Sequence, residues 1–340
     1  MKVLKRILIG LLAIVLLAVV IGLFLPSERH VERSVSIDAP PCVVFARVDG
    51  FRSFNEWSPF VALTPDAQYS YEGPGFGVGA KMIWSSEEPD GDTGSQEIVA
   101  STPCERIDIE IDFGEKETSK VAYLLEAENG GTRLTWAFDA DFGLNLFGRY
   151  FGILLDRTLG PTYAQGLTNL KRITEELPKV DWSDIEIGIT TVPSTTIAYS
   201  TANCSQEPSE IEKAFSTAFG KVAIFISTNK LQMAGPPLAI ANYWDERGYG
   251  FDAGMPVSGV PTRGAGPDSP VRMGETYGGQ VVRAVHVGPF TGMEATYLKI
   301  EAFLAAYQLE ENGRSWESYV SDPGSTSEEK LITEVYFPVK

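Results

Sequence analysis

The second half of the sequence contains an internal repeat, which restricts the possible folds more than any other feature. Asp252–Val257 (DAGMPV) and Glu334–Val339 (EVYFPV) both read acid, three residues, Pro, Val, at an offset of 82, from position 252 to position 334. At this offset two predicted helices carry matching apolar stripes, formed by Ile211, Phe215 and Val222 and by Met293, Tyr297 and Leu304. Each half therefore predicts a strand, a helix and further strands. Two such units can pair into one sheet, with the helices on one face and a groove along a pseudo-twofold axis on the other.

The last strand of the second repeat carries an unusual acid. In Leu331–Lys340 the apolar residues alternate along one face, and the opposite face carries Ile332, Glu334 and Tyr336. A carboxylate among apolar neighbours is costly to bury without a partner. Glu334 is therefore on a solvated face of the sheet or at the bottom of an aromatic pocket for a cationic or polar ligand. The repeat gives Glu334 a counterpart in Asp252 and favours the pocket.

Several short motifs in this half occur in a characteristic order. They are Val285–Phe290 (VHVGPF), a helix that continues to Tyr307, Trp316–Tyr319 (WESY) and Thr333–Pro338 (TEVYFP). Together they resemble the gyrase-inhibitor-like, AraC-type effector-binding domain, which is related to the SOUL proteins, over about residues 185–340. The resemblance implies an acid, here Glu334, at the centre of an aromatic groove.

The ligand-binding residues expected from this resemblance are Glu334, Tyr336, Tyr199, Tyr243, Trp244, Phe290 and Tyr297. Tyr243 and Trp244 are adjacent, so they point to opposite faces of a strand and cannot both line the groove. The first half departs from the family pattern in its Pro/Gly/Ser-rich stretch, Gly254–Gly274, which is expected to form an extended connection. The usual DNA-binding helices are also absent, which argues against direct transcriptional regulation.

Residues 31–177 predict a second type of fold. The order is a strand, short helices, a run of strands separated by Gly/Pro/Asp turns, and a long helix that ends before Pro178. Val35–Pro40, Asn55–Pro59 (NEWSP) and Gly77–Ala80 lie in an order that resembles the START-like superfamily of polyketide cyclases, bet-v-1-type allergens and lipid carriers. The resemblance implies a helix-grip fold with an apolar cavity. Its candidate lining residues are Trp84, Trp136, Phe138 and Tyr163, although core packing explains each of them as well.

The N-terminus is predicted to be a transmembrane anchor. Ile7–Leu25 contains no charged residue and follows Lys2, Lys5 and Arg6. As a helix it would span about 28 Å, close to the hydrocarbon thickness of a bilayer. A cleaved signal peptide is the alternative, but the run is long for one and no small-residue cleavage site follows it. The basic residues place the N-terminus in the cytoplasm and the body of the protein outside it.

The charge of the chain bears on its partners. The formal net charge is −17, and all charges before Glu28 are basic, so the rest of the chain is more acidic still. Such a field repels phosphate backbones and predicts that the protein does not bind nucleic acid. It favours cationic ligands, although a solvated acidic surface is the commoner meaning of such a charge.

The cysteines and histidines predict neither a metal site nor a cofactor site. Cys42, Cys104 and Cys204 form no C-x-x-C pair, and only two histidines are present. If the body is exported, one disulfide is possible and Cys42–Cys104 is the preferred pair, but unpaired buried cysteines are the favoured interpretation. The acidic run Glu87–Asp92 is expected to be a solvated loop rather than a calcium site.

Taken together, these features predict an α+β protein with an anchor over residues 1–27, a START-like domain over 28–178 and a gyrase-inhibitor-like domain over 185–340. The favoured function is binding: an apolar ligand in the START-like domain and an amphipathic or cationic one in the C-terminal groove. One alternative is a hydrolase or cyclase of small hydrophobic electrophiles, with Glu334 as general base helped by Tyr336. Another is a membrane-tethered protein-interaction module. No catalytic residue is assigned.

Overall fold

The computed structural model describes residues 2–86, 93–113, 119–263 and 269–340. It shows a mixed α/β chain with two antiparallel sheets and an apolar N-terminal helix. One compact unit extends to Asp181, and the second comprises Trp182–Lys340. The acidic run Glu87–Asp92 lies outside the described residues.

The apolar run at the N-terminus forms one continuous helix. Helix α1 spans Lys2–Phe24, and its stretch Leu4–Phe24 is long and apolar enough to cross a membrane by length and composition. Only 6% of its most apolar window is buried against the rest of the protein. In the described part of the chain, the side chains of Leu4–Phe24 therefore remain almost entirely exposed.

The rest of the first unit is a seven-stranded sheet with helices packed on it. Its elements are β1 (Glu28–Ile37), α2 (Pro41–Ala46), α3 (Phe54–Trp57), α4 (Phe60–Leu63), β2 (Gln68–Glu72), β3 (Lys81–Ser85), β4 (Gly94–Thr102), β5 (Arg106–Asp112), β6 (Ser119–Glu128), β7 (Gly131–Asp141), α5 (Leu146–Gly152) and α6 (Leu155–Glu175). The strand order is β1-β7-β6-β5-β4-β3-β2. Strands β6 and β7 form a hairpin, and Asn129 and Gly130 both have the positive φ that its two-residue turn requires.

Aromatic rings form the core of this unit. Trp136 of β7 and Tyr163 of α6 stack with ring centroids 3.8 Å apart, and Trp57 packs edge-on against Trp136 at 5.3 Å. All three side chains are at most 2% exposed. Trp136 and Tyr163, two of the predicted cavity-lining residues, thus pack directly against each other.

A disulfide joins α2 to the turn between β4 and β5. Cys42 and Cys104 are bonded across 62 residues of sequence, with their Cα atoms 4.4 Å apart. The favoured interpretation of unpaired cysteines was therefore wrong, and the preferred pair is the observed one. Cys104 adopts a positive φ of 62°, which turns its side chain toward α2 in a way that sequence spacing does not reveal. Cys204 is free and half-buried.

The second unit is a larger antiparallel sheet with two long helices. Its elements are β8 (Ile187–Val192), β9 (Thr196–Cys204), α7 (Pro208–Asn229), β10 (Gln232–Met233), β11 (Leu238–Asp245), β12 (Gly248–Ser258), β13 (Arg272–Glu275), β14 (Gly279–Val287), α8 (Met293–Tyr307), β15 (Trp316–Tyr319) and β16 (Ile332–Pro338). Two single-turn helices, Phe290–Gly292 and Glu328–Lys330, precede α8 and β16.

The strand order shows the predicted repeat directly. It is β13-β9-β12-β11-β15-β16-β14-β8, with β11 and β15 paired at the centre. Each edge strand belongs in sequence to one repeat and pairs with the other, because β8 precedes β9 but pairs with β14, while β13 precedes β14 but pairs with β9. The connection predicted over Gly254–Gly274 is shorter than expected, because β12 continues to Ser258. Residues 264–268 within it lie outside the described part of the chain.

Candidate functional site

The central strands present two chemically different faces. Trp316 lies opposite Tyr336 and Ser318 opposite Glu334 in the pairing of β15 with β16. Because side chains alternate along a strand, Glu317 and Tyr319 point to the other face. The helices pack on that other face: Tyr297 of α8 contacts Glu317, and the rings of α7 contact Tyr319. We call it the helix face.

Glu317 is the only acid that β15 contributes to the helix face. The Tyr297 hydroxyl donates to its Oε1 and the Tyr319 hydroxyl to its Oε2, each at 2.7 Å. Within the described ranges, no Lys or Arg nitrogen lies within 4.0 Å of this carboxylate. Glu317 is half-buried. Its negative charge is therefore held by two neutral donors and is not compensated by a cation of the protein.

Further aromatic rings pack around Tyr319, one of the two donors to Glu317. The ring of Phe290 lies 5.8 Å from that of Tyr319, and Phe215 and Phe219 of α7 lie 6.1 and 6.2 Å from it. Tyr249 of β12 lies 6.1 Å from Phe215. We call these residues the Glu317 cluster; it comprises Glu317, Tyr297, Tyr319, Phe215, Phe219, Tyr249 and Phe290.

The tyrosines of the cluster are fixed as neutral donors. Burial raises the pKa of the Tyr249, Tyr297 and Tyr319 hydroxyls well above the usual value, and the nearby Glu317 charge raises these pKa values further. Neutral hydroxyls can orient a carboxylate but cannot cancel its charge. The cluster can therefore hold a cationic or hydrogen-bond-donating group against Glu317. In the described part of the chain, no group of three or more His, Cys, Asp or Glu side chains is placed to hold a metal ion.

Glu334, on the opposite face, already has a cationic partner. Nη2 and Nε of Arg283 donate to its Oε1 at 2.5 and 3.2 Å, and the Tyr336 hydroxyl donates to its Oε2 at 2.5 Å. Burial opposes ionisation of this carboxyl, but the bonds from Tyr336 and Arg283 outweigh it and lower the pKa of Glu334. Burial and the bond to Glu334 raise the pKa of Tyr336 to about 12.

The counterpart acid of the first repeat is held in a similar way. Asp252 accepts hydrogen bonds from Thr201 at 2.7 Å and Asn242 at 3.1 Å, and Nη1 of Arg314 approaches its Oδ2 at 2.7 Å. Both acids of the repeat motif are therefore paired with arginines. Between them, Ile240 and Trp316 of the central strands are buried on this face. The groove expected on this face of the sheet remains a prediction.

The seven predicted site residues do not form one group. Phe290 and Tyr297 belong to the Glu317 cluster, whereas Tyr336 stays with Glu334 and stacks on Trp316 at 4.8 Å. Tyr199 packs at the edge of the apolar cluster that contains Trp316.

The two remaining predicted residues lie near the end of β11. The Tyr243 hydroxyl donates to Asn203 at 3.0 Å, and Arg247 lies over the Tyr243 ring. Trp244 is 60% exposed and contacts Tyr249 at 5.1 Å. As expected for neighbours in a strand, the two side chains make separate contacts. A ligand role for Glu334 remains a prediction.

Glu317 was not among the predicted residues, although it lies within the motif Trp316–Tyr319. In this motif (WESY) the acid shares a strand face with Tyr319, just as Glu334 shares a strand face with Tyr336. What the motif does not show is which acid faces the helices and which faces an arginine.

Comparison with known families agrees with this architecture. Residues 28–175 match the family described as polyketide cyclase / dehydrase and lipid transport, and residues 185–340 match the GyrI-like small molecule binding domain. The chain is a polyketide-cyclase-like domain followed by a GyrI-like domain. Both resemblances predicted from the sequence are confirmed, in the predicted order. Each half of the body thus belongs to a family that handles small molecules.

Solved structures show more distant likenesses. The EcmrR C-terminal domain is 13% identical, with 46% of this chain and 98% of that chain covered and a TM-score of 0.41. An uncharacterized conserved protein from Listeria innocua is 19% identical, covering 46% and 92%, with a TM-score of 0.35. Ara h 8.0201 is 19% identical, with 43% of this chain and 97% of that chain covered and a TM-score of 0.30. No curated protein matches the chain.

Proposed function

We propose that the protein is a membrane-anchored small-molecule-binding protein whose GyrI-like domain binds lipophilic cations at Glu317. The observation that carries the proposal is the half-buried Glu317 carboxylate, which has two tyrosine donors and, among the described residues, no Lys or Arg partner. Partly desolvated carboxylates normally have a cationic partner. A cationic ligand would supply that partner.

The rings of the cluster suit an organic cation. Each well-placed ring adds about 0.5–2 kcal/mol of cation–π attraction. Phe290 is 47% exposed, so part of the aromatic surface is open to solvent. A flat or bulky apolar cation could contact these rings while its charge lies against Glu317. The carboxylate supplies preference for positive charge, and the rings supply affinity for apolar surface.

Binding is favoured over hydrolysis by the state of Glu334. A general base works best when its pKa lies near the working pH. The pKa of Glu334 is lowered instead, because the bonds from Tyr336 and Arg283 outweigh the effect of burial. Such a carboxylate is a weaker base, and the proposal therefore assigns it no catalytic role.

The proposal places both domains outside the cytoplasm. Helix α1 and the preceding Lys2, Lys5 and Arg6 support an anchor with a cytoplasmic N-terminus. The Cys42–Cys104 disulfide supports an oxidising compartment for the body, since such bonds rarely persist in the cytosol. The net charge of −17 supports the absence of nucleic acid among its partners.

For the polyketide-cyclase-like domain we propose an apolar ligand between α6 and the sheet. The indole Nε1 atoms of Trp57 and Trp136 support it, because both are buried and lack a hydrogen-bond partner in the described part of the chain. A ligand with an acceptor could satisfy them. The stacked rings of Trp136 and Tyr163 would have to move apart to admit it.

The Glu317 site can be tested with a pair of ions of equal shape and opposite charge. The full chain in nanodiscs is titrated with tetraphenylphosphonium and with tetraphenylborate, and binding to empty nanodiscs is subtracted. We expect the cation to bind and the anion not to bind. Glu317→Gln should weaken cation binding about 10-fold or more, the size of one lost charge-assisted contact, whereas Glu334→Gln should leave it within about twofold. Equal binding of both ions, or unchanged binding to Glu317→Gln, would refute the proposal.

A further inference from the structure

An uncovered apolar patch lies just before α6 in the first unit. Five large apolar side chains are about half exposed or more: Leu144 (84%), Phe147 (83%), Phe151 (50%), Ile153 (49%) and Leu154 (49%). We call them the α5 patch. A soluble surface rarely exposes so many large apolar side chains within one short segment, and such patches normally contact a partner or a membrane.

The charge of the segment is as unusual as its exposure. Residues 142–155 (FGLNLFGRYFGILL) contain no acid, in a chain with a net charge of −17. Their single charged residue is Arg149. Its guanidinium donates to the carbonyl oxygens of Leu23 and Leu25 at 3.0 Å each, so its charge lies against the chain at the end of α1. Of the exposed side chains in this segment only that of Asn145, the N-cap of α5, is polar, and the others are apolar.

The patch is joined to the end of the apolar helix α1. Besides the Arg149 contacts, the Tyr150 hydroxyl donates to the carbonyl of Ala18 at 2.7 Å. Gly22 allows the close approach, because a Cβ there would lie 3.2 Å from the Tyr150 ring and 3.3 Å from Leu146. Helix α5 thus packs on the last turns of α1, at the end where the chain would leave a bilayer.

The two sides of α5 differ in the way that an interfacial helix requires. Gly148 and Gly152 are buried, with Phe142 next to both and Arg29 next to Gly152, while Phe147 and Phe151 are exposed. Apolar and aromatic side chains on one side of a short helix suit the boundary between lipid headgroups and acyl chains. An acidic body would be repelled by anionic lipid heads, so contact with the membrane has to come from apolar side chains.

We infer that the α5 patch inserts into the interface of the same bilayer that α1 crosses, as a second membrane contact of the first domain. The inference rests on the membrane anchor in the proposed function. Lipid is the occupant because the patch is continuous with α1, whose side chains also remain uncovered, and because the patch carries no charge or hydrogen-bonding group for a polar partner. With two contacts, the domain is held against the membrane and does not swing on the residues after Phe24.

Site-directed spin labelling of the full chain in phosphatidylcholine liposomes tests this inference. Single cysteines replace Phe147, Val15 of α1 or Val260 in a Cys204→Ser background, which leaves the Cys42–Cys104 disulfide intact. Val260 is the matched control, because it is 83% exposed, like Phe147, but lies in the second unit. Each label is measured for collision with oxygen, which concentrates in lipid, and with a water-soluble nickel complex. Thermal unfolding of each labelled protein verifies that it is folded.

The measured quantity is the ratio of the collision rate with oxygen to the collision rate with the nickel complex. We expect this ratio at Phe147 to be at least about fivefold higher than at Val260 and lower than at Val15, as for a label just below the headgroups. If the Phe147 label gives the same ratio as the Val260 label while the Val15 label remains in lipid, the inference is overturned and the anchor stands. A Phe147 label shielded from both reagents would also overturn it, because a protein surface would then cover the patch. A water-accessible Val15 label would refute the anchor itself and, with it, the inference.

Discussion

The hydroxyl of Tyr297 donates a 2.7 Å hydrogen bond to Oε1 of Glu317, linking helix α8 to the central strand β15. The bond joins a helix side chain to an acid that no arginine or lysine of the described residues approaches. It joins α8 to β15 and, together with the bond from Tyr319, orients the carboxylate. The GyrI-like domain therefore depends on this contact for stability as well as for its proposed ligand site.

We expect Tyr297→Phe to lower the free energy of unfolding by about 1.5–3 kcal/mol, the usual contribution of a hydrogen bond to a charged group. The ring packing on Phe337 is retained in this variant, so the loss reports the hydroxyl alone. Urea denaturation of the full chain measures it. Tyr243→Phe is the control, because the Tyr243 hydroxyl bonds the neutral Asn203 side chain, which is exposed. Equal effects of the two variants would contradict the special role of the Tyr297 bond.

The pairing of Glu334 with Arg283 predicts an acid-dependent stability. Because the folded-state pKa of Glu334 lies below the unfolded value of 4.5, its contribution is fully present above that value and is lost as the pH falls through the folded pKa. We expect Glu334→Gln to be less stable than wild type at pH 6 to 7 and to approach wild-type stability at acid pH. Melting temperatures of the two proteins, measured from neutral to acid pH, check this expectation. A constant difference between the two proteins at every pH would contradict the prediction.

The disulfide is expected to contribute strongly to the first domain. Cys42→Ser with Cys104→Ser opens a loop of 62 residues and should lower the free energy of unfolding by about 2–5 kcal/mol. Cys204→Ser, at the free and half-buried thiol of the second unit, is the matched control and should change it by less than about 1 kcal/mol. Denaturation of each variant with and without a reductant separates the effect of the disulfide from that of the substitutions. A reductant that leaves wild type unchanged would show that the bond is not formed.

Much of the fold could be predicted because it follows from local pattern. The run of strands in the first unit, the Asn129–Gly131 hairpin and the two-repeat organisation of the second unit follow from alternation, turn residues and spacing. The charge state of the sheet faces could not be predicted in this way. Alternation separates Glu317 from Glu334, but only the register of β14 against β16 brings Arg283 opposite Tyr336 and beside Glu334.

The disulfide and the α5 patch show the same limit. Cys104 meets Cys42 because its backbone adopts a positive φ in the turn after β4, a conformation that non-glycine residues rarely adopt. Residues 142–155 read as ordinary apolar sequence, and only the packing of Gly148 and Gly152 inward turns Phe147 and Phe151 outward. In both cases the deciding contact joins residues that are distant in sequence.

The buried indole of Trp136 combines close ring packing with an N–H group that has no hydrogen-bond partner in the described part of the chain. Its ring stacks on Tyr163 at 3.8 Å, while its Nε1 has no hydrogen-bond partner among the described residues. Trp136→Phe keeps an aromatic ring and removes the unsatisfied donor, whose burial costs about 1–3 kcal/mol. We therefore expect Trp136→Phe to change the free energy of unfolding by less than about 1.5 kcal/mol, whereas Trp136→Ala should lower it by about 3–5 kcal/mol. Urea denaturation of both variants provides the comparison. If Trp136→Phe proves as destabilising as Trp136→Ala, the indole N–H has a partner in solution, and the support that it lends to a ligand in this domain is lost.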